Sequence, residues 1–481
     1  MGDPTGFTKV RRAKIPKRPV DERVQDYRYV YKPLPIVNLR AQASRCMDCG
    51  VPFCNPGCPL GNLIPEWNDL VYKDRWRSAI DRLHATNNFP EFTGTLCPAP
   101  CEDACVLSIN DDPVTIKEVE LQIITHAFEQ GWITAQPPER RTGKRVAVIG
   151  SGPAGLAAAQ QLNRAGHHVT VFERDDEIGG LLTYGIPDYK IEKWMVARRV
   201  ALLAEEGIDL RTGVHVGEDV TTEQLRDEFD AVLLAVGALQ GREVNAPGRE
   251  LDGIHTAMDY LVQQNRRVAG REVPSPSTAF GTGAPITAAG KHVVILGGGD
   301  TGADCLGNAH REGAASVRIL THGPRPPDHP DPLEWPDVPF VLRSWPAHEE
   351  GGERDFQVMV ERFSGEDGHV RRLHLIDAER RPDRTTVAVP GTERTLDADL
   401  VLLAIGFTGP VRDRLMDDLG VEYGAKGAIV QDRPYAVKDS PGVFVAGDAS
   451  RGASLIVWAI ADGRKAARAI DEHLMGASLL P

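Results

Sequence analysis

The chain has 481 residues, of which 41% are hydrophobic, and a formal net charge of -13. That length exceeds a single core and suits two to four domains. The acidic balance disfavours a nucleic-acid partner, no apolar run reaches the roughly eighteen residues of a membrane-spanning helix, and the N-terminus has no apolar signal core, so a cytoplasmic location is expected.

The first feature along the chain is a basic arm, "KVRRAKIPKRP" from Lys9 to Pro19. It reads either as a solvated, poorly packed segment or as a strap docked on an acidic surface or a partner chain. Residues 1–140 otherwise show amphipathic helical stretches such as "IPEWNDLVYKDRWRSAIDRLHAT" and little strand signal.

Seven of the eight cysteines lie in this region. Cys46, Cys49, Cys54 and Cys58 fall in "SRCMDCGVPFCNPGCPLGN"; Cys97, Cys101 and Cys105 fall in "TLCPAPCEDACVL". In a reducing compartment such thiols point to metal or redox use rather than disulfides. Cys-x2-Cys is also a zinc half-site. The first group, however, ends in Cys58-Pro59 after a three-residue gap, as does the bacterial ferredoxin run, whose last cysteine ligates the other cluster. The spacing suggests that Cys46, Cys49 and Cys54 share one cubane with Cys105, and that Cys58 crosses to a second with Cys97 and Cys101. The second set is one ligand short. Glu118 and Glu120, near the start of the next predicted helix, are candidates to complete it, and both also suit a helix start as acids facing the dipole.

"QPPERRTGK", Gln136 to Lys144, reads as a linker. Beyond it, short β-branched runs alternate with helical patterns, which predicts parallel sheets in an α/β fold. The first unit is "KRVAVIGSGPAGLAAAQQLNRAGHHVTVFER". Gly150 allows the tight turn, Gly152 lets backbone approach a pyrophosphate, and Gly155 lets helix and strand pack closely. Pro153 and Ala154 open the helix whose N-terminus receives the phosphates, and Glu173 ends the second strand where a ribose-binding carboxylate is expected. Gly180 and Leu181 follow in the cysteine-free stretch "ERDDEIGGLLTYGIP" and are expected against the same nucleotide.

The second unit, "KHVVILGGGDTGADCLGNAHREGAASVRILTHGPRP", repeats the triplet with Gly297, Gly299 and Gly302, and places Asp300 and Thr301 at the helix start. Its second strand ends without an acid. Arg325 follows, the arrangement by which such sites accept the 2′-phosphate of NADP; His322 and Arg318 are rivals for that role. Cys305, alone on the helix, reads as a small buried hydrophobe. Two proline-rich stretches, "VPSPSTAFGTGAP" and "THGPRPPDHPDPLEWPDVP", read as surface loops.

"GVFVAGDASRGASLIVWAIADGRKAA" resembles the segment that closes the flavin site in flavoprotein reductases with two dinucleotide-binding domains. The resemblance implies FAD on the first fingerprint and a nicotinamide nucleotide on the second, with Gly447 and Asp448 at the ribityl–phosphate region and Leu455 before a helix whose N-terminus faces the flavin. The expected divisions are 1–140 for the cysteine-bearing helical domain, 144–255 and 410–481 for a split FAD-binding domain, and 256–409 for an NADPH-binding domain nested within it. No redox-active cysteine pair accompanies the flavin, so electrons must leave by another route, and the N-terminal cysteines are the candidates for it.

Taken together, "RCMDCGVPFCNPGCPLGNLIPEWNDLV", "ATNNFPEFTGTLCPAPCEDACVL", "GSGPAGLAAA", "GGGDTGADC" and the Gly447-Asp448 segment resemble the small subunits of NADPH-dependent glutamate synthases. The wider group includes the flavin and iron–sulfur portion of dihydropyrimidine dehydrogenase and an NADPH–ferredoxin transhydrogenase subunit. The resemblance implies electron flow from NADPH through FAD and two 4Fe-4S clusters to a large subunit that makes glutamate from glutamine and 2-oxoglutarate. It also implies that Glu120, rather than Glu118, completes the second cluster. The chain begins Met-Gly, without a cysteine nucleophile, so amidotransfer is not expected of it. No side chain is expected to act as an essential proton donor in hydride transfer, because positioning nicotinamide over flavin suffices.

Overall fold

The computed structural model describes residues 3–273, 285–381, 383 and 385–481. The proline-rich loop expected at 273–285 falls almost wholly outside them. Among the described residues no helix is long and apolar enough to cross a membrane.

The N-terminal region is helical. Helices Ile36–Ala43, Ile64–Tyr72, Trp76–Thr86, Pro90–Leu96 and Ile116–Glu129 enclose one core built on Trp67, Leu83, Ile123 and Ile124, and that core includes the thiols of Cys54, Cys58, Cys97, Cys101 and Cys105. The basic arm is a strap. Arg12 pairs with Glu102 at 2.5 Å. Arg23, 1% exposed, reaches Glu350 at 2.7 Å, and Arg311 holds the same carboxylate at 2.6 Å. Lys17 pairs with Glu349. Within the arm Arg12 and Lys17 are tied to Glu102 and Glu349, and Arg23, just past its end, adds a buried pair of a kind that costs several kcal/mol when one partner is removed, so the arm is docked rather than free.

Two parallel sheets carry the nucleotide units. The first runs Val443–Val445, Ala231–Leu234, Arg145–Ile149, His168–Phe172, Asp209–Arg211, all parallel, with a short antiparallel edge at Gln431–Arg433 and Ala436–Val437. The second runs Ile254–Thr256, Leu400–Leu403, His292–Leu296, Ser316–Thr321, Glu353–Phe356, also parallel. Their central strands are buried along nearly every residue, which is why they read as continuous apolar runs rather than alternating ones. The chain crosses from the first unit to the second at Gln240–Gly241 and returns at Phe407–Gly409, and these two crossing segments pair antiparallel with each other. The division expected at 255 therefore moves upstream: Ile254–Thr256 is already an edge strand of the second sheet.

One element was not foreseen. Val358–Glu366 and His369–Arg380 form an antiparallel hairpin, extended by Thr386–Ala388 and Arg394–Asp397. Asp367 and Gly368 take φ of 51° and 80°, the geometry of a two-residue hairpin turn. An Asp-Gly pair between alternating runs was the available signal.

Candidate functional site

The two fingerprints have the same steric logic. Gly150 has φ 102°, and a Cβ there would stand 2.5 Å from the Ala235 carbonyl oxygen; at Gly155 it would stand 2.1 Å from that of Gly150. Nothing lies within 4 Å of a Cβ at Gly152. Gly297, Gly302 and Gly299 repeat the pattern: 2.2 Å to the Ala404 oxygen, 2.2 Å to the Gly297 oxygen, and open space. The first and third glycines of each triplet are thus required by packing. The middle one keeps backbone bare toward a ligand.

A cleft of about 800 Å³ begins at the first fingerprint. Gly150, Gly152, Pro153, Ala154, Glu173, Gly180, Leu181, Asp448 and Ile456 line it, and it extends to Thr301, Leu403 and Phe407 of the second unit. Glu173 is buried; its carboxylate accepts bonds from the Ser151 N–H at 3.1 Å and the Ser151 hydroxyl at 2.5 Å. Sequence reasoning missed Ser151, whose hydroxyl also accepts from the Gly179 N–H at 2.8 Å and so joins the glycine loop, the strand-end acid and the next turn. Gly180, with φ 53°, would place a Cβ 3.1 Å from the Gly152 Cα, so these two backbones meet at the cleft. Gly447, with φ 67°, abuts Ala154. Asp448 accepts from the Ser454 N–H at 3.1 Å and its hydroxyl at 2.8 Å; burial pushes its carboxyl up to about 6. Leu455 caps the helix Ile456–Met475, whose N-terminus opens on the cleft.

The second fingerprint is more open. Gly299 and Asp300 are exposed, and of its loop only Thr301 lines the cleft. Arg325 is exposed beyond the strand end and pairs with Asp328 at 2.5 Å. Arg318 is engaged by Glu353 and, at 3.5 Å, by Asp355. Cys305 is fully buried in the core of this unit.

The seven N-terminal thiols divide between two small cavities. Cys46, Cys49, Cys54 and Cys105 line the outer one; Cys58, Cys97, Cys101 and Glu120 line the inner one. Glu118 lines neither and accepts a bond from Gln122. Glu120 is 6% exposed. Asn87 and Thr93 each donate to its Oε1 at 2.9 Å and Asn62 at 3.4 Å, and Oε2 accepts none of these bonds. Burial raises the Glu120 carboxyl to about 7. Lys117 also lines this cavity.

These residues fit iron–sulfur clusters. All eight cysteines are free thiols. Burial pushes Cys46 and Cys97 up to about 12 and Cys58 to about 11, so each needs a bound cation to become a thiolate. Asp48 and Ala99 hold positive φ of 52° and 61°, a strained choice for non-glycine residues. Each lies two positions past a cysteine and turns its N–H back on that sulfur: Asp48 on Cys46, and Ala99 on Cys97 at 3.4 Å. Such N–H···S bonds tune clusters. Among the described residues no three His, Cys, Asp or Glu side chains converge as one ion requires.

The cavities adjoin. Ile456 lines the nucleotide cleft, while its neighbour Val457 lines the inner thiol cavity; Ile116 lines both thiol cavities.

Comparison with known proteins agrees with this arrangement. Residues 144–463 match the family described as pyridine nucleotide-disulphide oxidoreductase, and residues 23–132 match dihydropyrimidine dehydrogenase domain II, 4Fe-4S cluster. FprA from Mycobacterium tuberculosis shares the fold at 20% identity and a TM-score of 0.54, over 69% of this chain and 85% of that one. The chain is 56% identical to the glutamate synthase [NADPH] small chain of Mycobacterium tuberculosis over 100% of its own length and 98% of the relative's. It is 44% identical to that of Bacillus subtilis, with 100% of both covered. The glutamate synthase [NADH] of Schizosaccharomyces pombe is 43% identical over 99% of this chain, which spans 23% of that longer protein. Likeness of this extent over the whole length places the chain in the glutamate synthase small-chain family, as a pyridine-nucleotide oxidoreductase with an iron–sulfur domain at its N-terminus.

Proposed function

We propose that this chain is the reductase subunit of a cytoplasmic glutamate synthase, taking electrons from NADPH and delivering them to a large subunit that makes glutamate from glutamine and 2-oxoglutarate. When bound, FAD would accept one hydride, an electron pair, from NADPH and would allow its two electrons to leave singly to iron–sulfur centres, which carry one each. The chain's own residues bind, align and shield. Gly150, Gly152, Gly155, Glu173, Gly180, Leu181, Asp448 and Leu455 hold FAD; Gly297, Gly299, Asp300, Thr301, Gly302 and Arg325 hold NADPH. Cys46, Cys49, Cys54 and Cys105 ligate one 4Fe-4S cluster, and Cys58, Cys97, Cys101 and Glu120 a second. No side chain moves an essential proton.

The observation that carries this reading is the series of adjoining spaces: consecutive residues Ile456 and Val457 face the cleft and the inner cavity, and Ile116 joins the inner cavity to the outer. Such a series supports passage from buried flavin toward the partly exposed Cys46 and Cys49. The test is reconstitution. Anaerobically purified chain is mixed with the large subunit, glutamine, 2-oxoglutarate and NADPH, and glutamate is measured. Glutamate formation that needs both chains supports the reading; dye reduction by NADPH with no glutamate defeats it. The likeness of residues 23–132 to a dihydropyrimidine dehydrogenase domain favours, as the second reading, the same module feeding another acceptor.

A further inference from the structure

Beyond Arg325, the stretch "THGPRPPDHPDPLEWPDVP" has no part in the reading above, yet it leaves the second nucleotide unit and reaches the thiol domain. The Trp335 ring lies 4.7 Å from that of Phe53, tilted by 50°. Its indole N–H donates to the Cys105 carbonyl at 3.4 Å. Further along, Arg343 pairs with Asp103 at 2.8 Å. Phe53 and Cys105 both line the outer thiol cavity. The loop is not there to build a core: Leu333, Val338 and Phe340, which flank Trp335 in the chain, are 91%, 56% and 55% exposed. A segment that leaves three large apolar side chains in water while seating one indole on the rim of a cavity has that contact as its consequence.

We infer that Trp335 is a positioning residue of the outer iron–sulfur site, supplied by the nucleotide-binding unit: it shields the site over Phe53 and fixes the backbone of Cys105. This rests on the reading that the outer thiols hold a cluster. Cys46 and Cys49 are partly exposed, so the site is the wetter of the two, and every side that can be covered matters. Water beside a cluster stabilises its reduced, more negative form and raises its potential. A covering indole keeps the potential lower and oxidants out. The ring pair contributes through aromatic packing and the N–H through one hydrogen bond to a ligand's carbonyl, two effects that separate variants can divide.

The experiment uses full-length protein purified without oxygen, as wild type, Trp335→Ala and Trp335→Phe. Redox titration followed by EPR resolves the iron–sulfur signals, and visible absorbance follows bleaching in air. Trp335→Ala is expected to raise the midpoint of one set of signals and to bleach several-fold faster. The other signals, the FAD content and the rate of flavin reduction by NADPH stay at wild-type values. Trp335→Phe, which keeps an aromatic ring but loses the N–H, falls between. Where Trp335→Ala does not assemble, Arg343→Ala releases the loop from Asp103 and is expected to give the same one-signal shift. Unmoved signals and unchanged bleaching in the variants overturn the inference while leaving the reductase reading intact. A wild type that holds flavin but no iron or acid-labile sulfide overturns both.

Discussion

The two glycine fingerprints have nearly the same backbone and different surroundings. In each, the first glycine presses on the carbonyl of a returning strand, Ala235 or Ala404, and the third presses on the carbonyl of the first. In each, the middle glycine faces open space. The difference begins past the helix. At the first site Gly180, Gly447 and the start of the Ile456–Met475 helix close around the loop, and a buried carboxylate stands at the strand end. At the second the strand runs out through Thr321 into an exposed loop. The triplet therefore fixes where a pyrophosphate can lie, while remote segments decide how deeply the nucleotide is enclosed. A deep site suits a resident cofactor and an open one suits a nucleotide that comes and goes.

Breaking the shared part has the largest expected effect. A branched side chain at Gly155 or Gly302 cannot be placed without parting helix from strand, a cost of about 3 kcal/mol or more. Gly155→Val is expected to yield protein without flavin colour and with a depressed unfolding midpoint, and Gly302→Val a comparable loss centred on the second unit. A Gly155→Val protein that holds a full complement of FAD would show that the helix does not seat against the strand as described.

The next effect belongs to the enclosed site alone. Burial lifts the Asp448 carboxyl from 3.8 to about 6. Between those values the folded form keeps a proton that the unfolded form has lost, so flavin-free protein loses stability as pH rises from about 4 to 6, by about 1–3 kcal/mol. Above pH 6 the loss is complete. Asp448→Asn should flatten that slope in thermal unfolding of apo-protein and weaken FAD binding. A slope unchanged in Asp448→Asn would assign the pH dependence to other carboxyls.

Smaller in stability, but more selective, are the middle glycines. Gly152→Ala and Gly299→Ala meet nothing within 4 Å, and both are expected to unfold within about 1 kcal/mol of wild type. The first should lose FAD affinity and the second NADPH affinity, each measured by titration. A loss of both nucleotides in either variant would mean that the sites are not separable.

The sequence disclosed most where backbone sterics forbid alternatives. The glycine turns and the apolar strands were legible because few other residues satisfy them. The division of seven thiols between two cavities was legible only as spacing, because tertiary packing of helices far apart in the chain brings the two cysteine groups together. The roles of Asn62, Asn87 and Thr93 around Glu120 left no local signal, since residues from three segments converge on one oxygen. The arm from Lys9 to Pro19 misleads for a related reason: its charge suggests solvent, and the acids that receive it, Glu102 and Glu349, lie far along the sequence. The hairpin at Asp367-Gly368 had a readable turn, but it interrupts an alternation of strands and helices that leads the eye past it.

The smallest effect bears on the open site's choice of nucleotide. Arg318 is held between two acids across the strand pair and has little left to offer a phosphate. Arg325 pairs with Asp328 in a half-exposed setting, where such a pair is worth about 0–1 kcal/mol. It can exchange that carboxylate for a 2′-phosphate at almost no cost, and the gain is correspondingly modest. Arg325→Ala is expected to raise the KM for NADPH several-fold while leaving that for NADH and kcat near wild type. Arg318→Ala should leave the ratio of the two KM values alone. A ratio that moves in Arg318→Ala and not in Arg325→Ala would place the phosphate on the strand rather than on the loop, because only a rearranged strand end could free Arg318 from Glu353.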